Sequence, residues 1–343
     1  MPCSSRPVCV LTTSDNLTAD RVILELHGLG TLIVRLDLAD FPHRASLDAT
    51  VVDGRWTGTL RAHRRTLDLA ELGAIWWWHP GRATISTSPT LPSAEAGWLS
   101  DEANAGLIGV LGALDCLHLN HPLATRVGQS KPNVLAMAAG CGLEVPQTWI
   151  GNSPTGALGF VSGPAGQGTV CKSLVSPTIE YDDGSAAYFW TRPVAPEDVN
   201  SSLTATAHQF QHAVTKRFEV RLVVVGQRMF PVRIDTHSPA ARADFRADYD
   251  ACTYSHIPLP DPVRQGITAL MAHYRLTYAS IDLLVDEDDR WWFIDLNPAG
   301  QHDWLQQALP DLRISRAIAE TLSQPAHTRL TPAQPADALK VSA

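Results

Sequence analysis

The sequence predicts an α/β protein with β-rich lobes, and three stretches carry that prediction. An apolar run at 8–11 is followed by a polar loop, an amphipathic segment and a second apolar run at 31–36, the order of a βαβ unit in an open sheet. Residues 216–226 form a strand run, with Arg221 alternating against Val220, Leu222 and Val224, and connect through Gln227-Arg228 to 230–235, the pattern of a hairpin. Residues 281–285 and 291–297 flank the polar segment 286–290 and form a second hairpin pattern. With 343 residues the chain can bury a large core spread over two or three lobes.

Composition narrows the function. The net charge of −8 excludes a general polyanion-binding surface, so any phosphate must be met by a few local cations. The six cysteines form no C-x-x-C pair, and Cys9, Cys116, Cys141 and Cys171 sit in apolar surroundings, as buried thiols of a cytosolic protein do. No amino-terminal h-region and no membrane-length apolar run occur, which gives a cytoplasmic protein as the expectation.

Chemistry concentrates in the last hairpin. If it closes symmetrically, Asp282 lies opposite Asp295, with Asn297 two residues further along. Alternation puts Trp292, Ile294 and Leu296 on one face and Phe293, Asp295 and Asn297 on the other. Two carboxylates and an amide oxygen suit a hard cation such as Mg²⁺, which takes its other ligands from water and phosphate. An acidic hairpin tip on an edge strand is the plain alternative. Against it, both acids stand inside apolar runs, where an unpaired charge is costly.

Earlier in the chain, Asn16 or Thr18 caps a helix with an apolar face of Val22, Ile23, Leu26 and Leu29, ended by Gly28 and Gly30. No G-x-G-x-x-G follows, so no dinucleotide site is expected. Residues 50–52 and 57–60 form a hairpin about Asp53-Gly54. Residues 72–78 form a strand that ends in Trp76-Trp77-Trp78-His79-Pro80. Three consecutive tryptophans cannot share one face, so at least one is expected to be exposed or to touch a partner. A loop over 80–93 and a hydrophobic helix over 107–119 complete this part.

Asn120-His121-Pro122 marks a boundary. Ser130 then caps a helix with Pro132 in its first turn, and Lys131 stands at the positive helix end, where it pairs with an anion or is simply a solvated surface lysine. Lys172 lies inside an apolar strand that follows the glycine-rich 163–168, and it needs a partner to keep its charge. The polar segment 176–192 suits a mobile cover, and Arg192 at its end is a weaker candidate for substrate contact. Arg221 and Arg233 alternate against apolar residues and are expected to face one way, offering forks to γ-phosphate and a carboxylate; pairing of Arg233 with Asp235 is the structural alternative. A helix over 312–322 and a Pro/Ala-rich tail over 325–343, expected to be disordered, end the chain.

Asp282 with Asp295-Leu296-Asn297 resembles the metal-holding strands of the ATP-grasp ligases. The run Asp295-Leu296-Asn297-Pro298-Ala299-Gly300-Gln301-His302-Asp303-Trp304 is similar to one branch, the graspetide (microviridin-type) maturases that cyclise ribosomal peptides. Gly142-Leu143-Glu144-Val145-Pro146-Gln147-Thr148, Glu219-Val220-Arg221 and Asp244-Phe245-Arg246 extend the resemblance, which covers about 8–322. The family pattern has Glu where Asp295 stands, Asn at Ala299, Arg at His79 and Trp at Phe245.

The resemblance implies an ATP-grasp fold with ATP clamped between two β-rich lobes. It divides the chain into a pre-ATP-grasp α/β domain (1–120), a central lobe or lid (121–212), a carboxy-terminal lobe with the metal site (213–324) and the tail. It implies ATP and Mg²⁺, with Asp282, Asp295 and Asn297 as metal ligands. Lys131, Lys172 and Arg221 would meet phosphates, Gln211, Ala213 and Val214 the adenine, and Glu219 the ribose, although a solvated surface role for Glu219 stays open. Arg221, Arg233 and Lys172 are the catalytic candidates; Arg192, Arg233, Asp244 and Arg246 are the substrate contacts.

The implied reaction joins Asp or Glu side chains of a precursor peptide to Thr or Ser hydroxyls or Lys amines through an acyl phosphate. The implied partners are that peptide's leader and core and a second copy of the chain, with no nucleic acid or membrane. Two alternatives are a ligase that adds a free amino acid to a protein or small acid, and a catalytically silent nucleotide-binding protein.

Overall fold

The computed structural model describes residues 6–324 apart from 63, 84, 86–90, 164–167, 176 and 182. The tail 325–343 therefore lies outside the described residues, as do parts of the loop 80–93, of the glycine-rich 163–168 and of the segment 176–192. The chain divides into two compact units at Leu119/Asn120 and Ala317/Ile318.

In the first unit, β1 (Val8–Leu11), α1 (Leu17–Gly28) and β2 (Ile33–Leu36) form the expected βαβ unit, with Asn16 accepting from the Ala19 N–H as the helix cap. β3 (Ala45–Val52), β4 (Arg55–Ala62) and β5 (Arg65–Asp68) make an antiparallel sheet whose first turn is Asp53-Gly54. β6 (Ala74–Trp77), α2 (Ser93–Gly112) and β7 (Leu117–Leu119) follow. The parallel sheet runs β2-β1-β6-β7.

Two expectations fail here for reasons of burial. Trp76, Trp77 and Trp78 are 1%, 8% and 1% exposed, so none faces solvent. Strand β6 is covered on both faces, as strands of parallel sheets are, and both sides of its pleat take indole rings. Trp76 stacks on Trp78, whose Nε1 donates to Asn16, while Trp77 on the opposite face donates to His118 Nδ1. The helix expected over 107–119 instead starts at Ser93, ends at Gly112 and gives way to β7. A continuous apolar run hides such a break, because its periodicity does not tell buried helix from buried strand.

The second unit opens with α3 (Pro122–Gly128) and α4 (Lys131–Gly140); Ser130 occupies the cap position of α4 without a side-chain cap bond. β8 (Thr148–Gly151), α5 (Pro154–Val161) and β9 (Thr169–Lys172) follow, then the two-stranded β10 (Thr178–Glu180) and β11 (Ala186–Tyr188), β12 (Arg192–Val194) and β13 (His208–His212). Strands β12-β9-β13-β8 form one antiparallel sheet.

β14 (Lys216–Val225), β15 (Arg228–Thr236), α6 (Pro239–Ala243), β16 (Cys252–His256), α7 (Asp261–Tyr274), β17 (Tyr278–Asp286) and β18 (Trp291–Asn297) build a second antiparallel sheet, ordered β16-β15-β14-β17-β18. α8 (Asp303–Ala308) and α9 (Ile314–Leu322) close the described chain. One face of the five-stranded sheet packs Val220, Leu222, Ile281 and Leu283 against Leu135 of α4 and Leu270 of α7. The other face is left for chemistry.

The hairpin β17–β18 pairs Asp282 with Asp295, as symmetry suggests, but strict alternation does not hold. A bulge at Ile294 separates the Asp282–Asp295 pair from the Leu283–Phe293 pair. Phe293 and Leu296 therefore both enter the helix-covered core, while Asp295 keeps the opposite face. The Phe293 N–H is satisfied by Glu144 O at 2.7 Å.

Asn120 anchors this hairpin. Its Nδ2 donates to Tyr278 O (2.7 Å) and Pro298 O (2.9 Å), and its Oδ1 accepts from Thr277 N–H (2.8 Å) and Tyr278 N–H (2.9 Å). All four bonds are buried or nearly so, and a truncated side chain would strand four backbone groups away from water. Asn120→Ala should lower unfolding stability by about 2–4 kcal/mol in urea denaturation, far beyond a surface substitution.

Candidate functional site

A cleft within the second unit is lined from one side by β9 and β13 and from the other by β14, β17 and β18. Pleat parity decides which side chains reach it. On β9 and β13, Val170, Lys172, Gln209 and Gln211 face the cleft, whereas Cys171 and Phe210 pack on Ala157 of α5. On β14 and β17, Glu219, Asp282 and Leu284 face it.

Lys172 Nζ donates to Gln211 Oε1 at 2.7 Å, and Gln211 Nε2 donates to Thr148 Oγ1 at 2.9 Å. Burial pushes the Lys172 ammonium down to about 8, with Lys131 adding to the shift while Asp295 and Asp282 oppose it. Lys131, at the start of α4, reaches Ser173 O at 2.8 Å and stands 3.9 Å from Asp295 Oδ2. Burial raises the Asp295 carboxyl, and the Asp282 charge adds to this against Lys131 and Lys172. The Glu219 carboxyl is raised by burial and opposed by Lys216, whose Nζ lies 2.6 Å away. Asp244 grips Arg246 through two bonds of 2.8 and 2.6 Å; these outweigh its burial and hold it below the usual carboxylate range.

Of the residues singled out in the sequence, Lys131, Lys172, Gln211, Ala213, Val214, Glu219, Asp244, Arg246, Asp282, Asp295 and Asn297 all line this cleft. Arg221, on the same face of β14 as Glu219, does not line the cleft but donates from Nη1 to the cleft-lining Asp282 Oδ1 at 2.6 Å. The expectation that Arg233 faces the same way is corrected by register: it pairs with Val220, on the helix-covered face, while Arg221 pairs with Val232. There Arg233 lies over the Phe218 ring and holds Asp235 by two bonds of 2.8 and 2.6 Å. Arg192 pairs with Cys171, which puts it on the face of its sheet away from Lys172. Neither arginine lines the cleft, so its placement lends no support to a catalytic or substrate-binding role.

Three cleft residues carried no weight in the sequence reading. Lys216 stands three positions before Glu219; Gln209 shares a strand face with Gln211 two residues on; and Arg242 precedes Asp244 by two. Strand parity and local charge spacing were the available signals.

The donor set fits a hard cation in part. Asp282, Asp295 and Asn297 stand on one face of facing strands, all with oxygen donors. Among the described residues no group of three or more His, Cys, Asp or Glu could hold a metal alone, so a cation here would draw further oxygens from a phosphate or water.

A family described as the MvdD pre-ATP grasp domain matches residues 8–126. A Chryseobacterium gregarium RiPP-associated ATP-grasp ligase, solved with ADP and a leader and core peptide, is 27% identical with a TM-score of 0.83, over 93% of this chain and 96% of that one. The macrocyclase MdnC of Microcystis aeruginosa, solved with precursor peptide MdnA, is 25% identical with a TM-score of 0.79, over 92% and 98%. MdnB from the same organism is 25% identical with a TM-score of 0.75, over 92% and 99%. The chain has the ATP-grasp fold. It matches the graspetide-type maturases along nearly its whole length, with a pre-ATP-grasp domain at its start. No curated protein matches the chain. No helix among the described residues is long and apolar enough to cross a membrane.

The Lys172 microenvironment in this ATP-grasp cleft is directly measurable. In ¹³C-lysine-labelled protein, one Cε signal should titrate with a midpoint of about 8 and vanish in Lys172→Arg. A midpoint near that of free lysine would contradict the buried placement.

Proposed function

We propose that this protein is an ATP-dependent, ADP-forming carboxylate ligase that cyclises a ribosomally made precursor peptide. It would join Asp or Glu side-chain carboxylates to Thr or Ser hydroxyls or to Lys amines. The observation that carries the nucleotide half is the convergence, in one cleft, of two lysines facing the Asp282, Asp295 and Asn297 oxygens. The peptide half is supported by the match to a leader- and core-bound ligase over 93% of the chain.

In this reading Lys131 and Lys172 take the negative charge of the nucleotide phosphates, and Arg221 braces the transferring group. Asp282, Asp295 and Asn297 would hold Mg²⁺, which supplies charge neutralisation at the β- and γ-phosphates. Gln211, Ala213 and Val214 line the adenine end, and Glu219 with Lys216 the ribose. A substrate carboxylate oxygen attacks the γ-phosphorus and ADP leaves, giving an acyl phosphate. A hydroxyl or amine of the same peptide then attacks the acyl carbon and phosphate leaves, so each ring costs the peptide one water. Arg246 and Asp244 border the cleft where the peptide enters. The protein contributes position and charge; it lends no covalent group.

Incubating a precursor peptide encoded beside the gene with enzyme, ATP and Mg²⁺ should lower its intact mass by one water per ring. The Asp295→Ala/Asn297→Ala variant should leave the mass unchanged. Hydroxylamine lability would then tell esters from amides. Mass gain on another acceptor would replace cyclisation by amino-acid ligation, and absence of ADP release with any acceptor would leave nucleotide binding alone.

Nucleotide contact at Lys172 has its own test. ADP without Mg²⁺ should raise the midpoint of the Lys172 signal above about 8, because a bound polyanion favours the charged amine. ADP affinity should accordingly weaken as pH rises through 8, by at most about tenfold per pH unit, and the Lys172→Met variant should bind weakly at every pH.

A further inference from the structure

Arg221 is largely buried, with 11% of its side chain exposed, and its orientation is fixed from two sides. Asp282 Oδ1 takes Nη1 at 2.6 Å, and Gln301 O lies 3.5 Å from Nη2. The loop after β18 presses against the second side. A Cβ built on Gly300 would lie 2.8 Å from Arg221 Nη2 and 2.5 Å from Ser280 Cβ, so bare backbone abuts the guanidinium. Only glycine leaves room there.

That backbone is itself held. Tyr278 Oη donates to Gly300 O at 2.5 Å, and Ser280 Oγ donates to it at 3.2 Å. Tyr278 Oη also lies 3.1 Å from His302 Nδ1. Tyr278, Ser280 and Asp282 stand on the same face of β17, so one strand supplies both the loop's anchor and the arginine's partner. Asn120 clamps the Tyr278 backbone at N–H and C=O. Tyr278 is 1% exposed, and a phenylalanine ring would fill the same space. Its hydroxyl costs desolvation that packing does not require and that the Gly300 bond offsets.

We infer that Tyr278 is a positioning residue for Arg221: its hydroxyl fixes Gly300 and Gln301, and the fixed loop keeps the Arg221 guanidinium aimed beside Asp282. The assignment rests on the proposed ligase reading for its consequence in turnover, but not for its geometry. Without the hydroxyl, the Gly300 carbonyl loses its short bond and keeps the longer Ser280 one, while its N–H stays on Asn297 O at 3.2 Å. The loop gains freedom, the guanidinium rotates about its Nε–Cζ bond, and the transferring group loses an oriented fork.

The first readout needs neither ATP nor peptide. In ¹⁵N-arginine-labelled protein, wild-type Arg221 should show separate, slowly exchanging Nη–H signals, assigned by their loss in Arg221→Lys. In Tyr278→Phe these signals should merge or broaden, and in Ser280→Ala they should do so less. Unchanged Arg221 signals in both variants would overturn the inference. In turnover, Tyr278→Phe should lower kcat by about tenfold and leave KM for ATP within about twofold. Placed on Arg221→Lys, it should cost less than about a further twofold, because its effect passes through the missing guanidinium. Full multiplication of the two losses would mark Tyr278 as a stability residue only. A wild-type enzyme that cyclises no peptide would sink the ligase reading and leave the NMR result standing.

Discussion

The cleft depends on how its charges are balanced before any nucleotide arrives. Arg221–Asp282, Lys216–Glu219 and Arg246–Asp244 are close ion pairs, and each cancels itself within the wall. Partly buried pairs of this kind contribute little net stability; their value lies in the damage done when one member is lost. Lys172 is different. Its hydrogen-bond partner is a neutral amide oxygen, and of the carboxylates that favour its charge Asp295 is shared with Lys131 and Asp282 is paired with Arg221. The cleft thus holds a cation that is desolvated but only weakly compensated, a deficit that the proposed nucleotide phosphates would fill. The lowered Lys172 pKa is that deficit expressed as proton affinity.

The fold enforces this arrangement through parity. In a pleated sheet, whether a side chain reaches the cleft is decided by its odd or even place in the strand, and one residue of slip reverses every assignment. β14 sends Glu219 and Arg221 one way and Val220 and Leu222 the other; β9 separates Lys172 from Cys171. The bulge at Ile294 breaks this rule, as does a register shift between Lys216 and Phe218 on β14, and the site needs the first. Without the extra residue, Phe293 and Asp295 would share a face, and either an aromatic ring would enter the cleft or a carboxylate would enter the core.

Much of this was legible in the chain. Period-two runs placed both hairpins and the βαβ unit, and acids inside apolar strands pointed to ligands, because burial of an unpaired charge needs a reason. The errors share a cause: sequence alternation does not show which strand partners which, or what covers a sheet. Arg233 looked equivalent to Arg221, yet the β14–β15 register puts them on opposite faces. The tryptophan triplet was expected to expose a ring because a strand was taken to have one buried face; a parallel sheet has two. The bulge had no sequence signal beyond an alternation that fitted its core slightly badly.

The shorter side chain at Asp295 has a geometric consequence in the proposed metal site. Asp295 Oδ1 accepts from the N–H of the next residue, Leu296, at 3.0 Å, and Oδ2 points toward Lys131 at 3.9 Å. A carboxylate tied back to its own backbone offers a cation one oxygen, where a side chain one methylene longer could offer two. Asn297 is similarly engaged, its Oδ1 accepting from Ala299 N–H at 3.0 Å. Asp282 shares Oδ1 with Arg221. Each protein ligand is thus partly spent on holding the hairpin and its loop in place. In the proposed site the cation's remaining coordination would come from nucleotide oxygens and water, which would couple metal binding to nucleotide binding.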